Sequence, residues 1–411
     1  MAALFILITP LIIMYSQGYR FDLRYGAIIK TGALFLEPRP APVGAYFDGK
    51  LKKQSNFVFQ NIYIGNLFPR SYLIEVKKDG YFSWGKKLTV LPKLVTEAKN
   101  IYLFPKNVVP KILASNLAEF YPSPDNERIA IVETNPILNI HIYEKRTDKK
   151  SLLYQDSATS TNFEATAIVW SPDSSKVALL LNGISRARLI IKELKGYTSY
   201  ELRISQARIL KIAWNPLDTD DIIFTAANEK FNLLLKHSTK NRKLPQTLAH
   251  DVSSFTINDN NIIYISTVTQ TKSLLDLQTG DIRQLTFHPA DDRETDKVFT
   301  PDRKKFLVIE ENDIWVQWLE NNHTQPFRDT GDTIKVVRND SPVFDAIWFT
   351  KNNEYIIFSE EEAIKIIELD TRDRQNLYKI ISMRAQKLSY DDTRNTLYFL
   401  SGGSLYAAEL K

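Results

Sequence analysis

The chain has 411 residues and a formal net charge of +5. Apolar residues make up 44% and charged residues 25%, a balance that builds folded cores and excludes disorder of the whole chain. There is no cysteine, which excludes disulfide scaffolds, cysteine zinc sites, iron–sulfur clusters and thiol nucleophiles; the histidines His141, His237, His250, His288 and His323 are too far apart for a sequence-local metal motif.

Residues 2–15 read AALFILITPLIIMY, without a charge. At about 1.5 Å per residue they reach about 21 Å, short of a hydrocarbon core of about 30 Å, and extension through Tyr19 lengthens the segment, with Tyr15 and Tyr19 suited to the interface. Residues 1–22 are therefore expected to be a membrane anchor truncated at its N-terminus, with a linker at 23–30, in a single-pass protein whose bulk lies on the extracytoplasmic side. Arg20, Arg24 and Lys30 argue for the opposite orientation by the positive-inside rule, but long domains translocate largely regardless of charge. A cleaved signal lacks its positive n-region and its small-x-small site, and a buried apolar strand or helix is the alternative.

Residues 31–105 alternate like strands between turn signals. Asp48-Gly49 and Asp79-Gly80 are tight-turn dipeptides, and in 71–77 Tyr72, Ile74 and Val76 share one face. Five or six strands make a small β-sandwich, and Trp84 and Tyr81 read as its core rather than as a carbohydrate platform. This stretch has eleven Lys and Arg against five Asp and Glu, a net +6, so basic character gathers near the N-terminus. Lys50, Lys52, Lys53, Lys77, Lys78, Lys86 and Lys87 are the candidate contacts with an anionic surface such as lipid headgroups or wall polymer; a merely solvated face is the plainer reading.

The order of motifs here resembles the PEGA domain. The carriers are Pro42-Val43-Gly44-Ala45, the strand and turn from Tyr46 to Lys50, and the later run Val76-Lys77-Lys78-Asp79-Gly80-Tyr81 with Trp84. The resemblance implies a non-catalytic β module of envelope and surface proteins, used for adhesion or spacing.

From 106 to 411 one pattern recurs: a polar turn, then a run of apolar β residues. The turn ends at Asp125, Asp173, Leu217, Asp259, Asp302, Asn352 and Asp392, spacings of 40 to 50 residues. Four strands per copy, seven times over, make a β-propeller, with six blades as the alternative. Trp170, Trp214, Phe299 and Phe349 stand three residues before their turns and are expected to pack between blades. The last copy lacks its fourth strand, and residues 107–113 are expected to supply it, a device that closes the sheet edge. The Ser-Pro-Asp turns at 123–125 and 171–173, with Trp170 before the second and Thr279 to Thr286 as an outer strand, resemble the TolB-like, WD-repeat-like propellers. That resemblance implies a protein-binding platform outside the cytoplasmic membrane.

The fold class is thus all-β with an anchor helix, in four parts: 1–22, 23–30, 31–105 and 106–411. No catalytic, cofactor or metal site is assigned. Neither a nucleophile elbow nor a phosphate loop occurs, the acidic run 291–296 lacks the order of a calcium loop, and 360–362 and Asp218, Asp220 and Asp221 read as solvated turns. A slightly acidic propeller argues against nucleic acid as partner. The expected function is non-enzymatic: a membrane-anchored envelope protein presenting the propeller to a protein or an envelope polymer through the PEGA-like module. A propeller-channel enzyme acting on glycan or peptide, and a cytoplasmic scaffold, are the alternatives.

Overall fold

The computed structural model describes residues 2–23, 26–133, 137–156, 164–182, 186–196, 198–205, 207–229, 231–241, 243–258, 261–268, 271–285, 297–310, 312–338 and 341–411. Helix α1 (Ala2–Ser16) is one uncharged run with Pro10 inside it. Gly18, at φ +85°, ends it, with its N–H donating to the Tyr15 carbonyl at 3.2 Å. The chain then reverses into a hairpin, β1 (Tyr19–Asp22) against β2 (Ala27–Lys30), in place of a longer helix and a linker. The 15 residues of α1 span about 22 Å. Among the described residues no helix is long and apolar enough to cross a membrane. This overturns the expected single-pass anchor over 1–22 and the extracytoplasmic placement that rested on it.

Seven strands follow: β3 (Gly32–Arg39), β4 (Gly44–Phe47), β5 (Lys50–Gln54), β6 (Ile62–Leu67), β7 (Ser71–Lys77), β8 (Trp84–Thr89) and β9 (Val95–Tyr102). They form two sheets, ordered β6-β3-β9 and β5-β4-β7-β8, with β3 and β9 parallel. Alternation decides what each strand buries: Leu34, Leu36 and Ala98 from one sheet, Phe47, Ile74, Val76 and Leu88 from the other, all in one core. Asp48 and Gly49 both have positive φ, 48° and 79°, as a two-residue hairpin turn requires.

Strand β10 (Lys111–Ser115) and seven four-stranded sheets account for the described strands after 105. In order they occupy residues 119–155, 164–205, 208–250, 252–284, 298–338, 345–381 and 387–409. The seventh contributes only three strands of its own, and its fourth is β10, beside Ser404–Glu409. The second strands of the repeats lose the polar alternation: five of the six residues before the last in Lys176–Asn182 are apolar and all six are buried, as is all of Tyr355–Ser359. A strand covered on both faces has no side to give to water.

The turn before each second strand is built from its own polar side chains. Ser123 Oγ donates to Asp125 Oδ1 at 2.5 Å and accepts from Arg128 N at 2.9 Å, and Asp125 Oδ1 also accepts from Glu127 N. Ser171, Asp173 and Lys176 repeat the pattern. The tightest position of the turn has positive φ in Asn126, Ser174, Arg303, Asn353 and Asn395, where no glycine stands. Asparagine tolerates this left-handed conformation best; serine and arginine adopt it under constraint.

The chain divides into two compact units, one of residues 1–113, 296–402 and 406–411, the other of 114–295 and 403–405. The first holds α1, the small β domain, the fifth and sixth sheets and most of the seventh; the second holds the first four sheets.

Candidate interaction surfaces

The seven lysines of the sequence reading part ways in the structure. Lys86 is not on the surface: its side chain is fully buried, and its ammonium pairs with Glu368 Oε1 at 2.5 Å. The carbonyls of Asp370, Arg372 and Arg374 accept from the same nitrogen at 2.7–2.9 Å. Trp84 Nε1 donates to the other Glu368 oxygen at 2.8 Å, and Asn376 gives that carboxylate two more N–H donors. Burial pushes the Glu368 carboxyl up, against the pull of Lys86. The reason lies in the pleat: Lys86 shares parity with Trp84, Leu88 and Val90, all buried, so β8 aims it inward. It is therefore removed from the anionic-surface set.

Around this pair the small domain is clasped to the sixth sheet. Tyr355 hydroxyl donates to the Asn100 carbonyl at 3.0 Å and accepts from Tyr102 N at 2.9 Å. Phe104 leaves the small domain's core and sits among Tyr102, Phe349, Tyr355 and Tyr378, with ring centroids 5.1–5.8 Å apart. The cleft left beside Trp84 and Glu368 measures about 20 Å³, room for about one water and no ligand.

The other six lysines stay at least partly exposed but do not converge. Lys50, Lys52 and Lys53 lie on β5, the edge of its sheet, every residue of which is exposed. Lys50 and Lys52 also line an open groove of about 610 Å³, with Arg70, Phe68 and Tyr72 and, from the β1–β2 hairpin, Phe21. Lys77 pairs with Glu75 at 3.0 Å. Lys78 donates to the Ala41 carbonyl at 3.2 Å, and burial pulls its ammonium below the ordinary lysine range. Lys87 is exposed, while its backbone N–H donates to Asp373 at 2.8 Å.

Between repeats, side chains act as latches. Trp170 Nε1 donates to the Tyr121 carbonyl and Trp214 Nε1 to the Val169 carbonyl, at 2.9 and 3.0 Å. In the sixth sheet this role belongs to Trp348, bonded to the Val298 carbonyl at 2.7 Å, rather than to Phe349. The turn there is one residue longer, so Phe349 takes the place of Ser171 and goes to the aromatic cluster. Phe299 keeps 39% of its surface exposed, packing on Phe306. At the first position of the second strands, Lys176 pairs with Asp220 and Lys305 with Glu354, whose carboxyl burial pushes up. Tyr355 occupies that position in the sixth sheet, where the partner is β9 of the small domain.

The acidic candidates are engaged as well. Asp220 belongs to the latch just described, Asp221 pairs with Lys236, Glu360 with Lys365 and Glu361 with Arg384. The run 291–296, His288 and the turn residue Asp259 lie outside the described residues. Among the described residues no group of three or more His, Asp and Glu is placed to hold a metal ion.

No protein-family model matches the chain, so none supports the PEGA or TolB-like resemblance, and no curated protein matches it. Among solved structures it is similar to the β-propeller domain of Cps50 (Swd1) from Myceliophteria thermophila, with a TM-score of 0.50 and 13% identity, over 75% of this chain and all of that one. The repeat region is a β-propeller. More distant are the C-terminal WD40 domain of Sif2 (TM-score 0.46, 12% identity, 74% of this chain and 99% of that one) and a chain of a mitotic checkpoint complex (0.48, 12%, 75% and 96%). At such identities the likeness concerns the fold alone.

Proposed function

We propose that this chain is a non-enzymatic protein-binding platform: a β-propeller that offers its loops to another protein, with the small PEGA-like domain clasped to its sixth sheet. The observation that carries the reading is the use made of the buried charges. Lys86 with Glu368 and Lys305 with Glu354 face each other across sheets and domains, where they hold elements together. Charges so engaged leave recognition to the exposed residues, among them Leu244 and Val268, which keep 94% and 73% of their surface open.

The test uses the purified full chain. Affinity capture from its native source, followed by calorimetry with each captured protein made separately, should give a saturable complex of fixed stoichiometry. Leu244→Ser and Val268→Ser should weaken that complex without lowering the melting temperature. Turnover of a peptide or glycan library by the purified chain, abolished by a single carboxylate substitution, would overturn the reading.

A further inference from the structure

We propose that the exposed edge strand β5 is a docking site for an extended acidic peptide, which adds to the small domain's sheet as a fifth strand. This site lies outside the propeller and does not depend on the reading above.

Three observations meet here. First, the edge is open. β5 ends the order β5-β4-β7-β8, all five of its residues are exposed, and it pairs with β4 alone. Among the described residues the backbone of 50–54 makes no hydrogen bond beyond that pairing. Such a row of unused N–H and C=O groups is what a second strand needs.

Second, the strand reads KLKKQ, three ammonium groups in five residues with no carboxylate. Asp48, two residues before the strand, is already taken by Arg70 at 2.8 Å and by the Leu73 N–H at 3.1 Å. Among the described residues Lys50, Lys52 and Lys53 are in no ion pair, and the only acceptor held by any of them is the Tyr63 carbonyl, 3.1 Å from Lys53 Nζ. Lysines on an edge repel a second copy of the same edge, which guards against self-association. The same charges attract a strand of opposite sign, so the edge selects its partner by charge.

Third, both ends of β5 meet exposed apolar surface. At the start is the 610 Å³ groove with Phe21, Leu23 and Phe68. At the end Phe57, Val58 and Phe59 stand out at 74–82% exposure. Asn56 holds this tip, its side-chain oxygen accepting from the Val58 and Phe59 N–H groups. The partner that fits carries carboxylates on alternate residues and a large apolar side chain at each end.

The probe is the fluorescein-labelled peptide Phe-Glu-Val-Glu-Val-Glu-Val-Phe, titrated with the full chain and read by anisotropy. Two N-methylated versions block one or the other set of alternate amides, and a scrambled peptide containing Gly and Pro keeps the charge. The parent should bind, one methylated version and the scramble should bind at least tenfold more weakly, and Lys50→Glu/Lys52→Glu/Lys53→Glu should lose at least tenfold. The triple variant should keep its melting temperature, because the three side chains are exposed. Equal binding of parent, scramble and both methylated peptides would overturn the proposal in favour of plain polyanion attraction. No binding of the parent, or concentration-dependent dimers of the chain abolished by the triple variant, would overturn it too. In each of these cases the propeller reading stands untouched.

Discussion

Lys86 shows how one residue can hold two elements that lie far apart in the chain. Its ammonium and the Glu368 carboxylate are both out of water, so the pair stands only while each has the other. Lys86→Met leaves a buried carboxylate without its counter-charge and three carbonyls without their donor, and should cost about 3–5 kcal/mol, seen as a lower urea midpoint. Adding Glu368→Gln to it should recover part of the loss, since the buried charge is gone and the amide oxygen still accepts from Trp84, while the three carbonyls stay without their donor. If the double variant were as unstable as the single one, the pair would not be the source. Arg303 makes an opposite case. It sits at φ +54° in the turn before the fifth sheet's second strand. Arg303→Gly relieves about 1–2 kcal/mol of left-handed strain and gives back part of it as unfolded-state freedom, so a gain of about 0.5 kcal/mol and a slightly higher melting temperature are expected. A lower melting temperature would mean that the arginine side chain contributes more than its backbone costs. The buried state of Lys86 was legible in its parity with Trp84 and Leu88. What hid it was the habit of reading every lysine as solvated, sound for most lysines and wrong where a partner waits.

Elements with a local signature were the ones the sequence declared. The polar turn and the apolar run after it lie within ten residues, so the repeat could be counted and its second strands placed. The fourth strand of the seventh sheet was legible too, because three C-terminal strands left one edge unfilled; expected over 107–113, it is found at Lys111–Ser115. Replacing 111–115 by a Gly-Ser segment of equal length should bare the edge of Ser404–Glu409, lower the melting temperature by several degrees and promote aggregation. An unchanged melting temperature would show that β10 adds nothing to that sheet. The clasp between β8 and the sixth sheet was not legible. Trp84 and Glu368 are 284 residues apart, and neither segment carries a mark that names the other. The sandwich had seven strands where five or six were counted, because β5 and β6 bury little and alternate weakly. The anchor expectation failed for a plainer reason: Gly18 ends a helix of 15 residues, about five short of a membrane crossing.

Over the whole molecule, titration should erode stability in two stages as the medium turns acid. His237 is almost fully buried and stacked on Tyr200, ring centroids 5.4 Å apart and planes 9° from parallel. Burial pulls its imidazole below the ordinary value of 6.5, against weaker opposite pulls from the Lys243 backbone and from Asp221. The folded chain thus favours neutral His237, so this contribution is whole above the ordinary value and is lost as pH falls below it. His141 shifts the same way through burial and the nearby Lys150, opposed by Glu133. Glu201 forms the second stage. Arg188 grips both its oxygens, at 2.8 and 3.1 Å, and holds its carboxyl down at about 2, against an ordinary 4.5. A depressed carboxylate stabilises above its unfolded value and stops doing so between about 4.5 and about 2. Urea midpoints measured from pH 8 to pH 2.5 should therefore decline first below about 6.5 and again below about 4.5. His237→Phe keeps the stacked ring and removes its titration, so it should shrink the first decline to the part that His141 carries and leave the second. Glu201→Gln should leave the first decline and shrink the second, of which Asp125, Asp173 and Asp302, also held below the ordinary carboxylate range, carry the rest, at the cost of a lower midpoint at neutral pH. A first decline of full size in the His237→Phe chain would assign it to other groups, and a second decline of full size in the Glu201→Gln chain would show that the Arg188 pair does not set acid stability.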